Sequence, residues 1–240
     1  MKKRGQVTIF IILAIVLILI VASYFIFKDK INNTFNAKDF PDVEKFIQNC
    51  ADSSAEQAII ESAKKGGIYA PQFVTYEGAV YYKYQNNWYF PAKEELENNL
   101  ALEFESLFLN CINEFSNFTN YQISTHEIKI SSDIERNFVR FDINYLVTVA
   151  FGEKSANFEY FSSKININYL KLYSAVAEYI ETQKNNSAIC LTCLSNILQD
   201  YKLKAEVFDS LDKTASIYVF SSEEIKLNNE KITFVFANEN

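Results

Sequence analysis

Residues Val7 to Phe27 carry no charged side chain, and only Thr8, Ala14, Ala22, Ser23 and Tyr24 interrupt their strongly apolar character. As a helix rising ~1.5 Å per residue, this run matches the ~30 Å hydrocarbon core of a bilayer. No other stretch constrains the chain as strongly. Lys2, Lys3 and Arg4 precede it as a compact basic head. Cytoplasmic flanks collect Lys and Arg, so this head is expected inside and everything from Lys28 outside.

Three kinds of leader share these features. One is a permanent single-pass anchor. Another is a cleaved secretory signal, for which Val21-Ala22-Ser23 offers a weak small-residue site, although Tyr24-Phe25-Ile26-Phe27 carries the apolar run beyond it. The third turns on Lys3-Arg4-Gly5-Gln6-Val7-Thr8-Ile9-Phe10. This junction resembles the class III leader of type IV pilin-like proteins, especially archaeal ones, over about the first 27 residues.

The resemblance implies that a membrane-bound aspartyl peptidase cuts between Gly5 and Gln6 on the cytoplasmic face. The helix from Gln6 would stay in the mature protein, first in the membrane and then in a filament core. Glycine at the cut suits close approach of a protease, because it has no Cβ. Phe10 stands where the family often has Glu at the fifth mature position.

The expected organisation is a basic leader (1–5), an apolar helix (6–28), a polar stalk (29–39) and an exterior domain (40–240). Two lobes, 40–120 and 121–240, are a further option within that domain. Its roughly 200 residues can bury a real core. Phe and Tyr are plentiful and Gly and Pro scarce, which excludes a disordered chain. The net charge is −7, with three basic residues held in the head, so the exterior part is acidic. That composition disfavours nucleic acid as a partner.

Phe40-Pro41-Asp42 opens a helix whose apolar stripe is Val43, Phe46, Ile47, Cys50, Ala51 and Ala58, and Gly66-Gly67 ends it. A meander is expected next, over 73–76, 79–84 and 88–90, with turns at Glu77-Gly78 and Asn86-Asn87. Phe90-Pro91 leads into a second helix with the stripe Leu96, Leu100, Phe104, Leu107, Phe108, Cys111 and Phe115. Long strands follow over 123–131, 137–151 and 156–164. In the middle one, Val139, Phe141, Ile143, Tyr145, Val147, Val149 and Phe151 alternate with Arg140, Asp142, Asn144 and Thr148, the pattern of an antiparallel sheet wet on one face. Helices over about 170–180 and 194–201 precede three closing strands, at 204–208, 214–220 and 232–236. Helices do not alternate singly with strands, so a doubly wound parallel sheet is disfavoured. The fold class is therefore α+β, an apolar anchor followed by antiparallel sheets packed with amphipathic helices.

Four cysteines, Cys50, Cys111, Cys190 and Cys193, would meet an oxidising compartment outside the cell. Cys50 and Cys111 lie on the apolar stripes of two long helices, which favours their pairing if the stripes face each other. Cys190-Leu191-Thr192-Cys193 would then pair locally. A zinc site, a redox pair and buried free thiols are the competing readings, and spacing alone does not choose among the three connectivities.

His126, the single histidine, lies in a strand and has neither a helical metalloprotease partner nor a nucleophile elbow. No Gly-rich phosphate loop and no cofactor motif is present, so no catalytic, cofactor or metal residue is named. Glu94, Glu95, Glu97, Glu103 and Glu105 read as a solvated helix face. Tyr82, Tyr84, Trp88 and Tyr89, on an aromatic hairpin, form the candidate binding surface, although alternation would bury about half of that tract. Sequons at Asn32, Asn117 and Asn185 are candidate glycosylation sites.

The expected role is a non-catalytic, single-pass surface subunit of pilin-like type. Its partners would be the membrane, further copies in a filament and a leader peptidase. A monomeric tethered ectodomain that binds a protein or a glycan is the alternative.

Overall fold

The computed structural model describes residues 40–184 and 189–240. Gly5, Gln6, the apolar run, the stalk, Asn32 and Asn185 lie outside the described residues. Among those described, no helix is long and apolar enough to cross a membrane.

The first helix, α1 (Pro41–Lys64), is the spine of the molecule. Proline stands at its first turn, where the missing N–H costs nothing, and Asp42 and Glu44 face the positive end of the helix dipole. Its buried positions form a wide stripe of mostly small residues, including Ala51, Ser54, Ala55, Ala58 and Ala63. Small side chains let neighbouring elements approach the helix from several sides at once. It ends as Gly66 and Gly67 turn left-handed, and the Gly67 N–H closes on the Ser62 carbonyl at 2.7 Å.

A short hairpin, β1 (Tyr81–Tyr84) and β2 (Asn87–Trp88), follows. Its turn residues are Gln85 and Asn86, both at positive φ, one position earlier than Asn86-Asn87, because Asn87 is already paired with Tyr84. The strand expected at 73–76 is reduced to a single bridge between Val74 and Val80. Helix α2 (Lys93–Ile112) then runs into a 3₁₀ turn over Asn113–Asn117.

Strands β3 (Gln122–Ile134), β4 (Val139–Phe151) and β5 (Lys154–Ile165) make one antiparallel sheet in the order β3-β4-β5. Alternation along β4 holds from Val139 to Val149, all of whose inward residues are buried. It fails at Phe151, which is 56% exposed at the strand's end, with an edge contact to Tyr121 at 5.9 Å. Helices α3 (Tyr169–Lys184) and α4 (Leu191–Asp200) come next. Strands β6 (Lys204–Asp209), β7 (Ala215–Leu227) and β8 (Glu230–Glu239) complete a second sheet in the order β2-β1-β8-β7-β6.

Antiparallel pairing holds everywhere except between β1 and β8, which run parallel. This pair ties residue 81 to residue 237, so residues 40–120 and 121–240 do not separate into independent lobes. The main apolar core runs from Phe40 to Phe236, and a smaller cluster of Ala79, Tyr81, Ala215, Ile217 and Ala237 lies apart from it. Spine helix α1 packs on β5 of one sheet and on β8 of the other, while α2 packs on β3 and α3 on β7. A helical layer therefore lies between two sheets, and burying both sheets' inner faces is the main stabilising term.

Candidate functional site

Both disulfides are closed. Cys50 and Cys111 join α1 to α2 with their Cα atoms 5.7 Å apart, and Cys190 and Cys193 join across 5.3 Å. The apolar stripes of the two long helices do face each other. Cys190 occupies the N-cap of α4, where its Sγ accepts the Cys193 N–H at 3.3 Å. Sulfurs bonded to one another cannot serve as thiolate ligands, so the zinc reading and the free-thiol reading both give way.

The aromatic hairpin divides between core and surface. Tyr82 is fully buried: it stacks on Phe236 at 4.7 Å, meets Phe90 edge-on at 5.1 Å and donates its hydroxyl to the Gly66 carbonyl. Burial pushes its phenol well above the ordinary tyrosine range. Tyr82 therefore leaves the candidate binding surface, because parallel pairing with β8 places β1 inside the sheet and turns Tyr82 onto the core. Tyr84 stacks on Phe73 at 4.7 Å and Tyr89 tilts against the same ring at 5.4 Å. These rings close over the outer face of the sheet. Trp88 stays half-buried and lines clefts on both sides of the hairpin.

The carboxylates of α2 also divide. Glu103 is only 6% exposed and holds Lys65 Nζ at 2.7 and 2.9 Å through its two oxygens. Glu97 accepts the Ile134 N–H at 2.8 Å and pairs with Lys93. Neither belongs to a solvated face, because β3 packs along this side of α2. His126 is exposed beside the bulge between Thr125 and Ile128. Asn117 is exposed at the end of the 3₁₀ turn, open to modification.

The most pointed feature had no part in the sequence expectations. In β8, Ile232, Phe234 and Phe236 face the core, and Asn238 continues the same phase. Ser216 does the same in β7, in phase with Tyr218 and Phe220. Helix α3 covers the apolar part of this face, with Tyr179 against Tyr218 at 5.4 Å and against Phe220 at 6.1 Å. Its described part runs to Lys184. Gln183, Lys184 and Ile189 line a cleft of about 390 Å³ together with Ser216, Tyr218 and Asn238 of the sheet.

Asn238 stands at the centre of the cleft's floor. Its ladder neighbours are Ser216 on β7 and Lys83 on β1. Lys83 in turn pairs with Trp88 across the hairpin. Asn238 is only 5% exposed, and among the described residues neither its Oδ1 nor its Nδ2 makes a hydrogen bond of ordinary length, although the Tyr218 hydroxyl lies beside it. The Tyr179 hydroxyl makes no hydrogen bond of ordinary length among the described residues either, but it faces the Tyr218 hydroxyl. Burial raises the Tyr218 phenol above its ordinary range, while the hydrogen-bonding groups of Tyr179 and Asn238 act to lower it. Two other polar groups around the cleft are already engaged. Ser216 donates to Asn240 Oδ1 at 2.9 Å, and Glu239 accepts the Gln85 N–H at 2.6 Å. Lys83 forms no ion pair among the described residues.

A buried amide left without partners costs about 1–3 kcal/mol, so such a group is a standing demand for something that fills the cleft and bonds to it. A polar residue in phase with an apolar alternation was the readable signal in the sequence. No family model, curated protein or solved structure matches this chain.

Proposed function

We propose that this chain is a non-catalytic, pilin-like subunit displayed at the cell surface. Residues 6–28 hold it in the membrane or in a filament core, and the α+β body from Phe40 onward stands outside. The observation that carries this reading is the closure of all four cysteines into two disulfides in the body that follows the apolar run. Such bonds persist in oxidising compartments, which agrees with the exterior side assigned by Lys2, Lys3 and Arg4. A helical layer clamped between two sheets and stapled at Cys50–Cys111 suits a rigid unit in an assembly.

N-terminal sequencing of the protein from its native membrane tests the leader. A mature chain beginning at Gln6 is expected, and a chain that still carries Lys2 to Gly5 refutes processing. Replacing Gly5 by Val should block the cut, since a β-branched residue obstructs close approach of the backbone. Purified filaments containing this chain are expected as well.

The alternative, a monomeric tethered ectodomain, is favoured by one observation: the unsatisfied Asn238 amide in a cleft beside Trp88. Recovery only as a detergent-solubilised monomer would favour it over assembly.

A further inference from the structure

We propose that the cleft between the end of α3 and strands β1, β7 and β8 is a saccharide-binding site, with Asn238 and Trp88 as its recognition residues. The inference rests on the cleft itself and holds whether the chain assembles or stands alone.

Asn238 presents one acceptor and two donors from a single planar group, and among the described residues none makes a hydrogen bond of ordinary length. A hydroxyl both donates and accepts, so adjacent hydroxyls on a pyranose ring can satisfy both ends of the amide. Ordinary apolar ligands would leave the amide orphaned. A simple anion would satisfy the donors and repel the acceptor.

Trp88 supplies the second element. It is half-buried, lines the same cleft and stacks on no other ring among the described residues. An indole is a platform for the apolar C–H face of a sugar, and a half-buried one is already ordered before the ligand arrives. Lys83, adjacent to both residues through the ladder, offers N–H donors that no carboxylate of the described residues occupies. Glu239, which also lines the cleft, accepts the Gln85 N–H of the hairpin turn. The cleft's size falls within the ~300–1,000 Å³ range of small-molecule sites. A pyranose residue at the end of a glycan fits this inventory of one amide, one indole and one free ammonium.

Trp88 is the only tryptophan in the chain, so its emission reports on the two clefts that it lines, and the Asn238 and Lys83 variants below assign a change to this one. The full chain, in a zwitterionic detergent with no sugar headgroup, is titrated with hexoses, N-acetylhexosamines and hexuronic acids as free mono- and disaccharides. A saturable change in emission with at least one of them is expected. Strongest binding in the uronic arm would mean that Lys83 pairs with the carboxylate, and strongest binding in a neutral arm that it serves a hydroxyl. Asn238→Leu should weaken binding by about tenfold or more, because the amide contacts are lost. The same variant should melt at or above the wild-type temperature, because it removes a buried unsatisfied amide. Lys83→Met, at a partly exposed position, provides a second variant that keeps the fold and should weaken binding several-fold.

Absence of a saturable response to every sugar overturns the proposal, as does equal affinity in Asn238→Leu. An equal response to glycerol overturns it too. Saturation by an uncharged tetrapeptide but by no sugar reassigns the cleft to peptide and overturns it. Failure to recover filaments would bear on the assembly reading and leave this measurement intact.

Discussion

The two disulfides close loops of very different length, and that difference can be measured. Cys50 and Cys111 are 61 residues apart, whereas Cys190 and Cys193 are separated by 3. A crosslink acts mainly by removing conformations from the unfolded chain, and its effect grows with the logarithm of the loop. For the long loop the chain-entropy expression gives about 4 kcal/mol at 25 °C, and for the short one about 1.5 kcal/mol. The double variant Cys50→Ala/Cys111→Ala should therefore lose about 4 kcal/mol, and Cys190→Ala/Cys193→Ala about 1.5 kcal/mol or less. A domain of roughly 200 residues shifts by about 2–4 °C per kcal/mol, so the Tm losses should be about 8–16 °C and 3–6 °C. Packing enlarges the first figure, since Cys50 is buried against the core and alanine leaves space there. Both variants should be unfolded thermally and with guanidinium, followed by far-ultraviolet circular dichroism on the full chain in detergent. Equal losses, or a larger loss from the short loop, would refute the placement of Cys50–Cys111 as the staple between the two long helices.

Other perturbations follow from the same packing. Lys65→Met strips the partner from the buried Glu103 carboxylate and should cost about 2 kcal/mol, the partial exposure of the lysine (37%) reducing the effect. Adding Glu103→Leu should recover most of that loss, and a double-mutant cycle by chemical denaturation measures the coupling. Gly67 has φ of +73°, and a Cβ there would lie 2.3 Å from Cδ1 of the fully buried Leu96. Gly67→Ala should therefore destabilise by about 2 kcal/mol in the same assay, and a neutral result would contradict the close contact at the end of α1. Lys231 and Lys204 hold the Glu223 carboxyl down to about 2 from its ordinary 4.5. A lowered folded pKa contributes stability that is full above the unfolded value and is lost as pH falls from about 4.5 toward 2. Glu223→Gln should flatten that part of the denaturation midpoint's pH profile, and an unchanged profile would remove the lysines as the cause.

The elements that were readable in the sequence are those whose signal is carried by near neighbours in the chain. Alternation from Val139 to Val149 defined β4, and the stripes through Cys50 and Cys111 defined two helices that had to bury one face each. A period of 2 or 3.6 is written within a dozen residues, so it can be read without knowing what covers the face. The pairing of the two cysteines lay just within reach, because two apolar stripes each needed a partner.

Tertiary structure alone decided which face met which neighbour. Tyr82 and Tyr84 are in phase in the sequence, yet Tyr82 is sealed in the core while Tyr84 lies against Tyr81 and Phe73 on the outer face, because the pairing of β1 with β8 shifts register between Tyr81 and Lys83. Glu103 resembles the other carboxylates of α2, but Lys65 from the end of α1 and the packing of β3 enclose it. Asn238 reads as one more polar residue near a strand end. Its place in a cleft arises because β1 and β7, far away in sequence, bring Lys83 and Ser216 beside it in the ladder. Chain periodicity fixes which side of an element is apolar. Where a neighbouring element begins and ends fixes what that side touches, and this depends on contacts far apart in sequence.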